Sequence, residues 1–237
     1  MINDQLTSLL QQSKLIITDD KISLLEKFIN LFIEKNQHIN LTKINDGQEF
    51  LIKHIIDSLL INQLIDIKSD MQIADLGTGG GLPGIPLAII NPKTKFTLID
   101  SAQKKIKCVN EFTDQLGLKN IIGFSDRLEA IGKNKKYREK FDVVIARALA
   151  PLPILLELAI PLVRNGGVFV AMKGPSYLEE LNRSVNAMKK LKIEPPAIKT
   201  YQLPENMGSR YLLIFHKKNS TPSIYPRQIG MPKKSPL

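Results

Sequence analysis

The chain has 237 residues, 43% hydrophobic and 24% charged, with a formal net charge of +10. This is the composition of a soluble globular protein, long enough for one α/β domain with a helical addition and a sizeable core. A single cysteine, Cys108, excludes an internal disulfide framework and suits a reducing cytoplasm, and three scattered histidines without a cysteine pair argue against a structural zinc site.

The first residues include Asp4 and no apolar core region, so no secretory signal is expected. The apolar stretch Leu152 to Val163 is broken by Pro153, Glu157 and Pro161, so no membrane span is expected either. Charge is unevenly placed: residues 1–70 carry −3, residues 71–216 carry +8 and residues 217–237 carry +5. A basic field of this kind draws phosphates, which points to a polyanionic partner; ordinary solubility charge is the alternative.

Residues 1–70 read as a helical cap. Leu6, Leu9 and Leu10, then Leu25, Phe28, Ile29 and Phe32, recur at three- and four-residue spacing, and Phe50 to Ile65 repeats the pattern. Asn40-Leu41-Thr42 and His54-x-x-Asp57-Ser58 stand out in this region. His54 and Asp57 share a helical face and could bond to one another or to a ligand as a general base, or tie the helix to its neighbour.

From Met71 the pattern alternates. Strands are predicted at 71–76, 95–99, 120–124, 141–146 and 167–172, with helices near 84–90, 102–116, 126–131, 151–163 and 176–190. Such βαβ units make a doubly wound, mostly parallel sheet over residues 71–216. Residues 197–203 and 210–216 instead read as two strands joined by a short turn, closing the sheet with an antiparallel strand.

Asp75-Leu76-Gly77-Thr78-Gly79-Gly80-Gly81-Leu82-Pro83-Gly84 joins the first strand to the first helix of this unit. Its glycines permit a sharp turn and close backbone approach to a ligand at the carboxyl end of the strand. The spacing fits both the dinucleotide pattern G-x-G-x-x-G and the D-x-G-x-G-x-G of S-adenosylmethionine (SAM) methyltransferases. A dinucleotide needs its pyrophosphate at the helix N-terminus, whereas Asp75 suits a cationic ligand, and the antiparallel closing strand also favours SAM over NAD.

Asp100 ends the second strand, placed to accept ribose hydroxyls or to cap the next helix. Leu128 and Glu129 follow the third, where an adenine could lie or where a helix simply begins. Arg147 ends the fourth, at the cleft mouth beside the transferable group, or faces solvent; Lys173 ends the fifth on the same rim. The tail, residues 217–237, is rich in proline and lysine and lacks acids, so it is expected to be extended or disordered, with Tyr225 available to stack on a base or ribose.

Taken together, these residues resemble the bacterial small-subunit ribosomal RNA guanine-N7 methyltransferase family, the glucose-inhibited division protein B type. The resemblance spans nearly the whole chain and rests on Asn40-Leu41-Thr42, His54-x-x-Asp57-Ser58, Asp75 to Pro86, Asp100-Ser101, Arg127-x-Glu129, Ala146-Arg147-Ala148 and Lys173-Gly174. Gly80 stands where proline or alanine is often expected, a change expected to leave binding unaltered.

The resemblance implies methyl transfer from SAM to N7 of a guanine in 16S rRNA, position 527 in standard rRNA numbering, by a cytoplasmic monomer acting on the 30S subunit without a metal. It implies SAM contacts at Gly77, Leu82, Leu128, Glu129 and Arg147; Asp75, Gly79 and Asp100 join them from the loop and strand-end positions. Arg147 is assigned to the reacting end, and Lys173 and Arg210 to RNA phosphates. Alternatives are an NAD(P)-dependent oxidoreductase using His54 as a proton relay and a non-enzymatic rRNA-binding protein.

Overall fold

The computed structural model describes residues 2–237. Five apolar runs form parallel strands: β1 (Gln72–Leu76), β2 (Lys95–Asp100), β3 (Ile121–Ser125), β4 (Phe141–Arg147) and β5 (Val163–Lys173). Two more, β6 (Ala197–Gln202) and β7 (Ser209–His216), form the expected antiparallel pair, and β7 runs antiparallel to β5. The strand order is β3-β2-β1-β4-β5-β7-β6. Its direction reverses between β1 and β4, and open α/β sheets bind ligands at the strand ends beside such a reversal.

Both faces of the central strands are apolar, so both must be covered. The residues of β1 alternate: Ile73 joins one core cluster, and Ala74 and Leu76 join the other. On the first face lie α1 (Ile2–Gln12), α2 (Asp19–Asn36), α3 (Gly47–Phe50) running on through a wider π-helical segment (Leu51–Ile56) into α4 (Asp57–Leu64), then α5 (Gly84–Ile90) and α6 (Gln103–Leu116). On the second lie α7 (Leu128–Lys133), α8 (Leu152–Ala159), α9 (Tyr177–Arg183) and α10 (Val185–Leu191). The amino-terminal helices share one continuous core with the sheet. Phe28 and Phe32 of α2 pack on Phe112 of α6, with ring centroids 5.7 and 6.1 Å apart.

Two predicted helices are broken. The 151–163 segment tightens into a 3-10 turn from Ile160 to Leu162, where Pro161 has no amide proton to donate. The 176–190 segment divides at buried Ser184, whose hydroxyl bonds back to the Glu180 carbonyl.

The tail departs from expectation: it is packed, not extended or disordered. Lys217 is 1% exposed, and its ammonium donates to Glu139 and to the carbonyls of Ile160 and Val163. Arg227 forms a two-pronged pair with Glu157 of α8, which is 0% exposed, and Leu237 joins the second core. Arg138 donates to the carbonyls of Thr221, Pro222 and Tyr225. A short helix, α11 (Met231–Lys234), lies in the same segment. Composition suggests a solvated tail because its acidic partners lie far away in sequence.

Candidate active site

The loop after β1 is fixed from within. Gly77, Gly79 and Gly81 have φ of +68°, +59° and +92°, a region costly for residues with a Cβ. The Asp75 carboxylate is 1% exposed and spends Oδ2 on the Thr78 hydroxyl (2.7 Å) and the Gly84 amide (3.0 Å). Burial raises its pKa to about 6 despite those bonds, and its Oδ1 has no hydrogen-bond partner. Asp100 accepts the Gly79 amide on Oδ2 and the Ala102 amide on Oδ1, both at 2.9 Å. Each oxygen keeps a further lone pair. At Gly80 a Cβ would come within 2.4 Å of the Phe32 ring, so alanine or proline would require that ring to move.

Two cavities open at the strand ends. The first, about 370 Å³, is bordered by Gly77, Asp100, Leu128, Glu129, Leu149 and Ile154. The second, about 610 Å³, is bordered by His54, Asp57, Arg147, Lys173, Glu180 and Arg210. Leu149, Ala150 and Pro151 line both, so the two cavities adjoin along this shared wall.

The predicted site residues thus divide between two places. Gly77, Asp100, Leu128 and Glu129 line the first cavity, while Arg147, Lys173 and Arg210 line the second. Asp75, Gly79 and Leu82 line neither; Asp75 and Gly79 brace the loop from behind, and Leu82 is buried in the first core.

Arg147 turns toward the amino-terminal helices rather than toward the first cavity. It donates to Asp57 (3.3 Å), to the Lys53 carbonyl (3.1 Å) and, through its other terminal nitrogen, to Nδ1 of His54 (3.3 Å). A guanidinium can only donate, so Nδ1 is the acceptor and the His54 proton sits on Nε2, which donates to the Thr42 hydroxyl at 2.7 Å. Burial, and then Arg147, push the His54 pKa down to about 3, keeping the ring neutral. Asn36 secures this arrangement by accepting the Leu41 and Thr42 amides. The motifs Asn40-Leu41-Thr42 and His54-x-x-Asp57 therefore meet at Arg147, and no bond joins His54 to Asp57 directly.

Lys173 is nearly buried and pairs with Glu180 at 2.7 Å while donating to the Ala150 carbonyl at 2.9 Å. Arg210 donates to the Ser209 carbonyl and lies 3.7 Å from Asp57. The Tyr201 hydroxyl donates to Asp57 at 2.7 Å, and burial, then the adjacent carboxylate, raise its pKa. Sequence reasoning missed Leu149, Tyr201 and Glu180, which carry no motif of their own. Pro232 and Lys233 of the tail, also lining the first cavity, went unnoticed for the same reason.

Among the described residues, no helix is long and apolar enough to cross a membrane, and no group of three acids, histidines or cysteines is placed to hold a metal. The antiparallel β7 separates the sheet from one that continues parallel, as the NAD fold does.

Similarity to known proteins agrees with this arrangement. Among solved structures, M. jannaschii TYW2 in complex with AdoMet superposes with a TM-score of 0.55 at 15% identity, covering 74% of this chain and 79% of that one. A SAM-dependent O-methyltransferase from Thermotoga maritima gives 0.54 at 15% identity, covering 81% and 72%. These likenesses show the SAM-methyltransferase fold. Ribosomal RNA small subunit methyltransferase G of Desulforamulus reducens is 38% identical over the full length of both chains. The protein of the same name from Thermoanaerobacter sp. is 43% identical over 90% of this chain and 88% of its own. The family model for rRNA small subunit methyltransferase G (GidB) matches residues 21–207, and the chain belongs to this SAM-dependent family.

Proposed function

We propose that the chain methylates N7 of a guanine in 16S rRNA, the position 527 that the family resemblance implies, with SAM in the first cavity and the guanine entering from the second. The observation that carries this reading is the shared wall Leu149-Ala150-Pro151, which brings two cavities to one strand end.

The first cavity fits SAM. Its volume lies within the range of about 300–1,000 Å³ typical of small-molecule sites. Asp100 has lone pairs to accept ribose hydroxyls, and Leu128, Ile154 and Leu158 offer apolar surface for an adenine. Gly77 has no room for a side chain, since a Cβ there would stand 2.5 Å from Leu149 Cδ1. Asp75, Gly79 and Leu82 hold the loop in shape around the cavity. Bound SAM supplies an electrophilic methyl on a sulfonium.

Guanine N7 presents a lone pair at the base edge, so no proton has to be removed before attack. The residues around the second cavity agree: His54 is neutral, with its acceptor nitrogen engaged by Arg147, and none of the groups named there is a free base. The work left to the chain is alignment, which in favourable cases lowers a barrier by about 7–11 kcal/mol. Arg147 keeps the second cavity in shape and offers its remaining donor capacity to the nucleotide. Arg210 is assigned to a phosphate, and Lys173 acts on RNA binding through the wall it supports. Action as a monomer belongs to the same reading.

Side chains cannot read the major groove of a folded A-form helix, so the guanine must be presented in a loop or unstacked. The substrate is then a structured 30S particle in the cytoplasm. The test is methyl transfer from labelled SAM to 30S subunits lacking the modification, mapped by strand cleavage at N7-methylguanine. Label at a single guanine is expected; no label on 30S particles or naked 16S rRNA would overturn the substrate.

A further inference from the structure

We propose that the carboxy-terminal segment 221–237 is the outer wall of the cofactor cavity, and that Arg227 is a positioning residue for cofactor binding. The proposal rests on the SAM reading of the first cavity. The segment lies outside residues 21–207, the part matched by the family model.

Three observations converge. First, Pro232 and Lys233 line the same cavity as Gly77, Asp100 and Leu128. Second, the Gly230 amide donates to Glu129 Oε1 at 3.0 Å, so the tail fixes the carboxylate of a residue on the cavity lining. Third, the segment is anchored on the underside of the site. The Arg227 backbone amide and Nε donate to Glu157 Oε1 at 2.8 and 2.9 Å, and its terminal nitrogen donates to Oε2 at 2.7 Å and to the Ser235 carbonyl at 2.7 Å. Glu157 is fully buried on α8, the helix that also carries Ile154 and Leu158 of the cavity. One arginine therefore ties α8 to both ends of the turn that places Gly230, Pro232 and Lys233.

A strap that served stability alone would need the anchor but not the lining. Here the anchor and the lining lie within seven residues of each other. A ligand held against Pro232 and Lys233 must then be coupled to docking of the segment, and the coupling is reciprocal: cofactor steadies the tail by the same factor by which the docked tail tightens cofactor binding.

The experiment uses S-adenosylhomocysteine as probe on the full chain. For Arg227→Ala, Kd is expected to rise about tenfold or more, with KM for SAM rising in parallel and kcat at saturating SAM within about twofold of wild type. Pro232→Gly, which touches no ion pair, is expected to weaken binding while lowering the melting temperature by less than Arg227→Ala does. In the wild type, saturating S-adenosylhomocysteine is expected to slow tryptic cleavage after exposed Lys233 and Lys234, and Arg227→Ala to lose that protection.

Unchanged Kd in both variants, with cleavage indifferent to the probe, would overturn the proposal and leave the segment a stabilising strap. If Arg227→Ala fails to fold, Pro232→Gly and wild-type proteolysis decide. A wild type that binds neither SAM nor S-adenosylhomocysteine would overturn the SAM reading itself, and this proposal with it.

Discussion

The Arg147 guanidinium at the end of β4 and the Asp57 carboxylate in the first turn of α4 form an ion pair, Nη1 to Oδ2 at 3.3 Å, with side chains 15% and 3% exposed. Asp57 also accepts the Tyr201 hydroxyl from β6 and lies near Arg210 of β7. One carboxylate thus joins the amino-terminal helices to three strands at the mouth of the second cavity. Arg147→Ala leaves it with the tyrosine and Arg210, so a loss of about 1–3 kcal/mol is expected in urea unfolding. Methyl transfer is expected to fall about a hundredfold, in kcat more than in KM for SAM. Arg147→Lys should not restore it, because one ammonium cannot serve Asp57, His54 and the Lys53 carbonyl in this planar arrangement. Activity within about twofold of wild type for Arg147→Ala would reduce the arginine to a brace.

His54 makes stability depend on pH. Its folded pKa of about 3 lies below the ordinary 6.5, so between those values the unfolded chain binds a proton that the folded chain does not. Its contribution is complete above about pH 6.5 and is lost progressively on acidification, up to about 2 kcal/mol by pH 5. Asp75 acts in the opposite sense: its folded pKa of about 6 is above the ordinary 3.8, so its contribution is complete below 3.8 and is lost as pH rises through 6. The two oppose each other between pH 4 and 6, and only a difference between proteins isolates either one. Relative to wild type, His54→Gln should gain up to about 2 kcal/mol on going from pH 7 to pH 5 in urea melts. A flat difference would mean that His54 titrates normally in the folded chain.

Gly77 and Leu149 compete for one space. An alanine at 77 must adopt φ +68° and place its Cβ 2.5 Å from Leu149 Cδ1, which then has to move into one of the cavities it divides. Gly77→Ala is expected to cost about 1–2 kcal/mol in stability and to weaken S-adenosylhomocysteine binding about tenfold. Adding Leu149→Ala should recover part of the loss, with a coupling of about 1 kcal/mol or more in a double-mutant cycle by calorimetric titration. Additive effects would mean that the two residues do not share that space.

The sheet was legible because its central strands, β1 and β4 above all, are buried on both faces and read as short apolar runs ended by a turn or an acid; β1 to β4 begin and end within a residue or two of their predicted bounds. The glycine loop was legible for a similar local reason. What periodicity could not convey was the width of a helix. Leu51–Ile56 opens into a π-helical segment, with His54 within it, in a run that reads as ordinary helix. Nor could local sequence show that Asp75 turns inward to the loop, or that Arg147 turns away from the first cavity to Asp57, ninety positions earlier. The tail was misread for want of the same long-range information, since Glu157 neutralises Arg227 from seventy positions away.

Sequence position places Lys173 and Arg210 on one rim as phosphate contacts, and the structure gives them different surroundings. Lys173 is 9% exposed, and its ammonium is divided between Glu180 and the Ala150 carbonyl, while Glu180 also accepts the Leu152 amide at 2.7 Å. Lysine and glutamate together hold the wall on both sides of Pro151. Arg210 is more open, 23% exposed, and has donors to spare. Each phosphate contact contributes about 0.7–0.9 to the slope of log affinity against log salt. Arg210→Ala should therefore flatten the salt dependence of binding to 30S particles by about that amount, whereas Lys173→Ala should leave the slope unchanged and lower kcat through a loosened wall. A flattened slope for Lys173→Ala, measured by filter binding between 50 and 200 mM salt, would mean that RNA draws the lysine away from Glu180. The wall would then open when substrate arrives, and Lys173 would be a phosphate contact after all.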